Sequence, residues 1–497
     1  MTLLSGTDPM VDSLRAFATL PRWLAAAMHG DEVALSLVRH VPDLAEGRLR
    51  LLSCSPERLR AKGEEWVARY RLTVVAEGGE PRDVVLVGVL SAPGREEAAS
   101  GQAPDPTASG PTPYPTAESL PFAQDGWSCV LPDLRLTLRR EVSDEGLPAL
   151  PMLVEPEETA ALVQRVVRGA GYDGATVTSC DPVVVRYKPG SRCTVVVGVE
   201  YADGTTPAPP SPVVLKTHQG DKGQTAWAAM TALWDRQAAW RGSVELAEPL
   251  AYLPDERILA QGPLPEEMTL KELARTAFAD GRPEGLERLR AELARTARAL
   301  AGLHGSGAAY GRTATFEDEV EEVREVIGRL ALSVPELEAA AEPLLETLEE
   351  MARTHPADPI VPAHHDFRPA QVLLHDGTLG FIDFDGASMA EPALDLGRFR
   401  AKLRDIGISS LIYTGQPLSG APLEDNLALL DELCEDFLAA YQQLAPVSRP
   451  RVLMWESCDL LTGLLHAWTK VRLVRVEPRL AVLLHQLRAS GLAGPVD

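Results

Sequence analysis

The sequence predicts an α+β fold of two lobes, one β-rich and one mainly helical, preceded by a degenerate copy of the β-rich lobe. Three observations carry that prediction. Strand-like runs dominate the first half of the chain, and helical periodicity dominates the second. Two segments of the first half repeat each other at an offset of 126. A single stretch, Ala363 to Gly397, interrupts the helical half with two short strands that carry acidic side chains.

In chain order, helical patterns over Asp12–Met28 and Asp31–Val38 precede strand-like runs at Leu49–Leu52, Glu65–Val75 and Asp83–Val89. Residues 92–124 are rich in Pro, Ala, Gly, Ser and Thr without periodicity, the composition of a linker. A second segment of similar order follows: a helix over Glu155–Arg168, then strands at Val183–Tyr187, Cys193–Tyr201 and Pro212–Lys216. SCSPERLRAK (Ser53–Lys62) lies over SCDPVVVRYK (Ser179–Lys188), with Ser, Cys, Pro, Arg and Lys identical, and VVLV (Val84–Val87) lies over VVLK (Val213–Lys216). This reads as a duplicated lobe whose first copy has lost its lysine, leaving no nucleotide site. From Leu270 the pattern turns helical, with amphipathic helices over Glu284–Leu303, Glu317–Leu330 and Glu336–Met351. The expected domains are 1–91, the degenerate lobe; 92–124, the linker; 125–262, the nucleotide-binding lobe; and 263–497, the helical lobe.

Composition excludes more than it identifies. At 497 residues the chain is too long for one simple core. A net charge of -23 argues against a nucleic-acid partner, since phosphate backbones need a basic surface. No apolar run reaches membrane-spanning length, and Asp8 and Asp12 stand where a signal peptide needs a basic, then apolar, start. The six cysteines show no ligand spacing, so a reducing cytoplasm with buried thiols is expected. Nothing specifies an oligomeric state.

The chemistry concentrates in AHHDFRPAQVLLHDGTLGFIDFDG. Asp366 sits on a loop before a short apolar strand, Gln371 follows five residues later, and a second strand delivers Asp383 and Asp385. A loop carboxylate, an amide and a strand-end carboxylate are what phosphoryl transfer needs to accept a hydroxyl proton and hold Mg²⁺ on ATP. Asp385 is a further metal ligand or a turn cap. Asp395 begins a helix, as its N-cap, as a brace for the catalytic loop, or as both. His364, His365 and His375 lack zinc-site spacing; His364 is expected to support the loop by hydrogen bonds. In the β-rich lobe, RYKPGSRCT (Arg186–Thr194) joins two strands through a Gly turn of the kind that lets backbone approach phosphate, with Lys188, Gly190 and Ser191 at its tip. Lys216 ends the next apolar strand, where an α/β-phosphate contact belongs. Gln261, ahead of the turn between lobes, lies where adenine is read.

These motifs resemble the aminoglycoside phosphotransferase and choline kinase superfamily, over about residues 150–490. The resemblance implies a bilobal protein-kinase-like fold, Mg-ATP as cofactor, Asp366 as catalytic base, Gln371 and Asp383 as metal ligands and Lys216 as phosphate contact. The chain departs from that pattern in three places. His365 stands where the family has Gly, and Gln371 where it has Asn, as in maltokinase-like relatives. The helix over Gln224–Trp240 lacks the Glu that normally pairs with the strand lysine; Asp221 and Asp235 are the nearby acids. The expected function is a cytoplasmic kinase for a hydroxyl on a small molecule such as an amino sugar or sugar, entering between the acidic helices and the C-terminal ones. Two rivals are a kinase for Ser or Thr of a precursor peptide that a partner lyase then dehydrates, and a catalytically silent scaffold.

Overall fold

The structure, a computed structural model, describes residues 8–62, 65–92, 127–140, 147–188, 191–202, 204, 207–236 and 244–492. Among the described residues, sixteen strands form four sheets. The first is antiparallel and built from β1 (Leu49–Lys62), β2 (Glu65–Ala76), β3 (Arg82–Leu90), β4 (Ser128–Leu131) and β5 (Leu136–Arg140), in the order β1-β2-β3-β5-β4. The second contains β6 (Val177–Lys188), β7 (Arg192–Tyr201) and β8 (Val213–His218). After β9 (Glu245–Leu246), which lies elsewhere, β10 (Pro249–Leu253) and β11 (Ile258–Gln261) complete it in the order β6-β7-β8-β11-β10. The two sheets thus share one strand order. Both also carry a register shift at the same place under the offset, between Leu51 and Ser53 in β1 and between Val177 and Ser179 in β6.

Three expectations need correction. The first strand runs ten residues beyond the expected Leu52, through Pro56. As a sheet edge it has a free side on which a missing N–H does no harm, and a second register shift sits between Pro56 and Arg58. The helix expected over Asp12–Met28 is broken into Pro9–Leu14, a 3₁₀ turn Arg15–Ala18 and Arg22–Ala26, because Pro21 cannot continue a helix. Finally, β4 and β5 pair with the first sheet through β3, whereas the expected boundary at residue 124 places them in the nucleotide-binding lobe. The linker expected over 92–124 lies, from residue 93 on, outside the described residues.

Two hydrophobic cores make the molecule bilobal. In the second sheet, alternate residues Cys193, Val195, Val197, Val213, Leu215, Ile258 and Ala260 face the helix Pro156–Gly169, which supplies Leu162, Val163, Val166 and Val167. The period of two leaves Thr194, Lys216 and Leu259 on the opposite face, turned toward the other lobe. The larger core joins the first sheet to the C-terminal helices. Phe17 meets Trp468 edge-on, and the Trp66 indole donates to Ser333.

The helical lobe begins with β12 (Met268–Thr269) and the helix Leu270–Asp280, whose Thr269 and Glu272 form a reciprocal capping box. The long helices Pro283–His304, Phe316–Ala331 and Glu336–Thr354 follow. Then β13 (Val361–Ala363), the hairpin β14 (Val372–His375) and β15 (Thr378–Phe381), and β16 (Ser388–Ala390) form the functional stretch. β14 and β15 share a sheet with β12 and with β9, whose pairing to β15 is parallel. The helix Ala393–Tyr413 crosses Arg449–Thr469 so closely at Gly397 that a Cβ there would lie 2.6 Å from the Glu456 nitrogen and from Trp455 Cβ. Among the described residues, no helix is long and apolar enough to cross a membrane.

Candidate active site

β13 and β16 pair antiparallel and frame the loop that carries Asp366. Its backbone is gripped from below by Asp395, which is fully buried. The N–H groups of His364 and His365 donate to the two Asp395 oxygens at 2.7 and 2.8 Å, and His304 Nε2 lies 3.1 Å from Oδ2. Burial pushes the Asp395 carboxyl up, but the His304 hydrogen bond and the neighbouring His charges outweigh it and hold the group below its ordinary value. Asp395 is the third residue of its helix, behind an N-cap at Pro392, so the N-cap alternative falls and the brace stands.

His365 occupies left-handed backbone, φ +70°, the conformation that explains Gly in the family pattern. Three contacts hold it there besides its N–H. Its ring Nδ1 is 2.9 Å from Ser388 Oγ, its carbonyl accepts from Arg398, and His364 O accepts from the Asp366 N–H. Arg398 is balanced by Glu319 and Asp459, one from each flanking helix, so the buried acids nearest the loop are already paired. His364 Nε2 bonds Ile382 O at 2.9 Å, the supporting role expected of it. Asp366 is left partly exposed at the loop apex, with Arg368 3.0 Å away.

Gln371 is buried at the end of a 3₁₀ turn and joins the two acidic loops. Its Nε2 donates to Asp366 Oδ2 at 3.3 Å and to Asp383 Oδ2 at 3.2 Å. The β14–β15 register sets this up, because Val372 opposite Phe381 brings Gln371 beside Ile382, whose N–H bonds Gln371 O. Asp383 itself takes φ +73°, turning the chain out of β15 into the turn Phe384–Gly386. Aromatic packing fixes both loops, with Phe367 on Phe381 at 4.9 Å and His364 on Phe384 at 4.6 Å.

The β-rich lobe answers with cations. Lys216 Nζ is 3.7 Å from Asp383 Oδ1, Arg192 Nη1 lies 3.7 Å from Asp383 and 3.6 Å from Asp385, and His218 Nε2 is 2.8 Å from Asp385 Oδ2. Burial pushes Asp385 up, yet the His218 hydrogen bond and the Lys216 charge bring it well below the usual carboxylate range. Its other oxygen, Oδ1, is buried with no hydrogen-bond partner. Carboxylate oxygens are hard donors of the kind Mg²⁺ takes, and an orphaned carboxylate oxygen is the atom a cation would satisfy. Asp383 and Asp385 could therefore hold it, whereas the expected ligand Gln371 faces both carboxylates with its Nε2 and would have to reverse its amide to present Oε1.

Of the other expected residues, Gln261 is buried at the end of β11, opposite Val214 and on the same face as Lys216. Lys188 and Ser191 stand at the β6–β7 turn, where Ser191 N–H bonds Lys188 O at 3.0 Å; Gly190 lies outside the described residues. Among the described residues, the helix Lys222–Asp235 supplies no ion-pair partner for Lys216, which meets Asp383 instead. Sequence reasoning missed Arg192, His218, Arg398 and His304. His218 was within reach, since it follows Lys216 by two residues on the strand.

The model of the phosphotransferase enzyme family matches residues 205–413 of this chain. Among solved structures, a glucosamine kinase in complex with glucosamine, ADP and inorganic phosphate is 18% identical, covering 95% of this chain and 100% of its own, at a TM-score of 0.44. A choline/ethanolamine kinase family protein from Mesorhizobium loti is 15% identical, covering 66% and 94%, at 0.42. A thermostable mutant of an aminoglycoside phosphotransferase is 14% identical, covering 63% and 96%, at 0.41. No curated protein matches the sequence.

Proposed function

We propose that this protein is a Mg-ATP-dependent phosphotransferase that moves the γ-phosphoryl group to a hydroxyl of a small molecule such as an amino sugar or sugar. The observation that carries the reading is Gln371, whose one amide spans Asp366 and Asp383 beneath Lys216. A base carboxylate and a metal carboxylate face one cleft, with a phosphate-binding cation above them. In this reading Asp366 orients the acceptor hydroxyl and takes its proton as the oxygen bonds to phosphorus and ADP leaves. Arg368 steadies that carboxylate. Asp383 and Asp385 would hold Mg²⁺, which would supply charge neutralisation on the phosphates, and Gln371 would join them by reversing its amide so that Oε1 replaces Nε2. Lys216 contacts the α/β-phosphates, and Gln261 borders the adenine.

The N-terminal sheet fits the reading as a duplicated lobe without a nucleotide site. Strand order and register shift recur, and the pairing puts Val89, opposite Val67 as Lys216 is opposite Thr194, at the lysine's place in the first sheet, two residues beyond the expected Val87. The test is a screen of labelled phosphate transfer from ATP to amino sugars, sugars and Ser/Thr peptides, with and without Mg²⁺. Transfer to a sugar-type acceptor, with Asp366→Asn slower by about 10²–10⁴-fold, supports the reading. Transfer to peptide alone assigns the other acceptor, and equal turnover in wild type and Asp366→Asn leaves only a scaffold.

A further inference from the structure

Lys216 lacks the helical acid that such a lysine is expected to have, yet the lysine strand and the metal loop are still tied together. The tie is made by other side chains. Arg192 lies directly opposite His218 in the β7–β8 register, and Thr194 opposite Lys216, so Arg192, Lys216 and His218 share one face of the sheet. All three reach across the cleft to Asp383 and Asp385. Only the His218–Asp385 contact is at hydrogen-bond length, 2.8 Å; the Arg192 and Lys216 contacts, at 3.6–3.7 Å, are Coulombic.

A carboxylate only accepts, so His218 Nε2 carries the proton of that bond and holds Asp385 through Oδ2 alone. His218 is 3% exposed. A purely structural His–Asp pair at this depth would have its other polar atoms satisfied as well. Here Asp385 Oδ1 and His218 Nδ1 are both buried without a partner. One Asp385 oxygen is tethered and the other is bare, which is how a carboxylate is presented to a cation.

We propose that His218 is a positioning residue for the metal site: a donor from the nucleotide lobe that fixes the Asp385 carboxylate so that its free oxygen faces Mg²⁺. The proposal rests on the Mg-ATP reading above. It also replaces the missing helical acid as the link that sets the two lobes relative to each other. In β8 the residue performs this from the strand that carries Lys216, so phosphate contact and metal ligand move as one unit.

The experiment measures Mn²⁺ affinity by the electron paramagnetic resonance of free Mn²⁺, in the presence of saturating ADP, for wild type, His218→Ala and His218→Gln. Groups that orient a metal ligand typically contribute 10–100-fold to affinity. The Ala variant is expected to bind Mn²⁺ at least about 10-fold more weakly. The Gln variant, which keeps a donor of similar reach, is expected to recover most of that loss. In turnover, the Ala variant should need correspondingly more Mg²⁺ while its rate at saturating Mg²⁺ falls less. Ala within two-fold of wild type, or Gln as weak as Ala, overturns the role of His218 and leaves the kinase reading intact. Wild type that binds no Mn²⁺ with ADP overturns both.

Discussion

Replacing Asp395 with Asn isolates how the catalytic loop is held, because it preserves side-chain size and removes one acceptor. Three donors now converge on two carboxylate oxygens: the N–H groups of His364 and His365 and the His304 ring. An amide offers one oxygen and points its NH₂ at a donor, so at least one buried N–H loses its partner. Hydrogen bonds to a charged acceptor contribute about 1.5–3 kcal/mol, and a stranded buried donor costs roughly 1–3 kcal/mol. The expected loss is about 3–5 kcal/mol, a large share of a domain's stability. Urea unfolding at pH 7 should show it as a lower midpoint at unchanged slope. The pH dependence has a definite sign. Asp395 has a depressed folded pKa, so its contribution is complete above the ordinary value of 3.8 and is lost as pH falls through the lower folded value. The gap between wild type and Asn variant should therefore be full at pH 7 and close only in strong acid. A shift of the loop by 1 Å would also reduce phosphate transfer by about 10²-fold. An Asn variant within 1 kcal/mol of wild type at pH 7 would refute the bracing argument.

Two further outcomes follow from the packing and the charges. Gly397→Ala puts a methyl 2.6 Å from the Glu456 nitrogen and Trp455 Cβ; since backbone cannot swing aside, overpacking should cost about 1–3 kcal/mol, read as a lower Tm. His365 is pushed down to about 4, first by burial and then by the Arg398 charge. The unfolded chain takes up its proton below about pH 6.5 and the folded chain resists until about 4, so stability should fall across that window. His365→Asn, which tolerates φ +70°, should flatten the fall by at most about 1.4 kcal/mol per pH unit; an unchanged slope by urea unfolding at pH 7 and 4.5 would contradict this.

Periodicity alone determined that a strand-rich half precedes a helix-rich half, and it located most of the element centres. Spacing, read with the resemblance of the motif to a kinase catalytic loop, placed Asp366, Gln371 and Asp383 together, and the loop and hairpin register brings their side chains into contact. The helix break at Pro21 was also written in the chain and simply outweighed by the apolar pattern around it. Other features depend on partners distant in sequence. β4 and β5 join the first sheet only because β3 offers them an edge. His304 and Asp395 are 91 residues apart, and the bond between them exists only once two helices pack. Arg192 and His218 acquire a purpose when the cleft brings them to Asp383 and Asp385. Local sequence encodes conformational preference and short-range register; burial, charge pairing and the satisfaction of buried polar atoms are properties of surfaces that meet only in the folded chain.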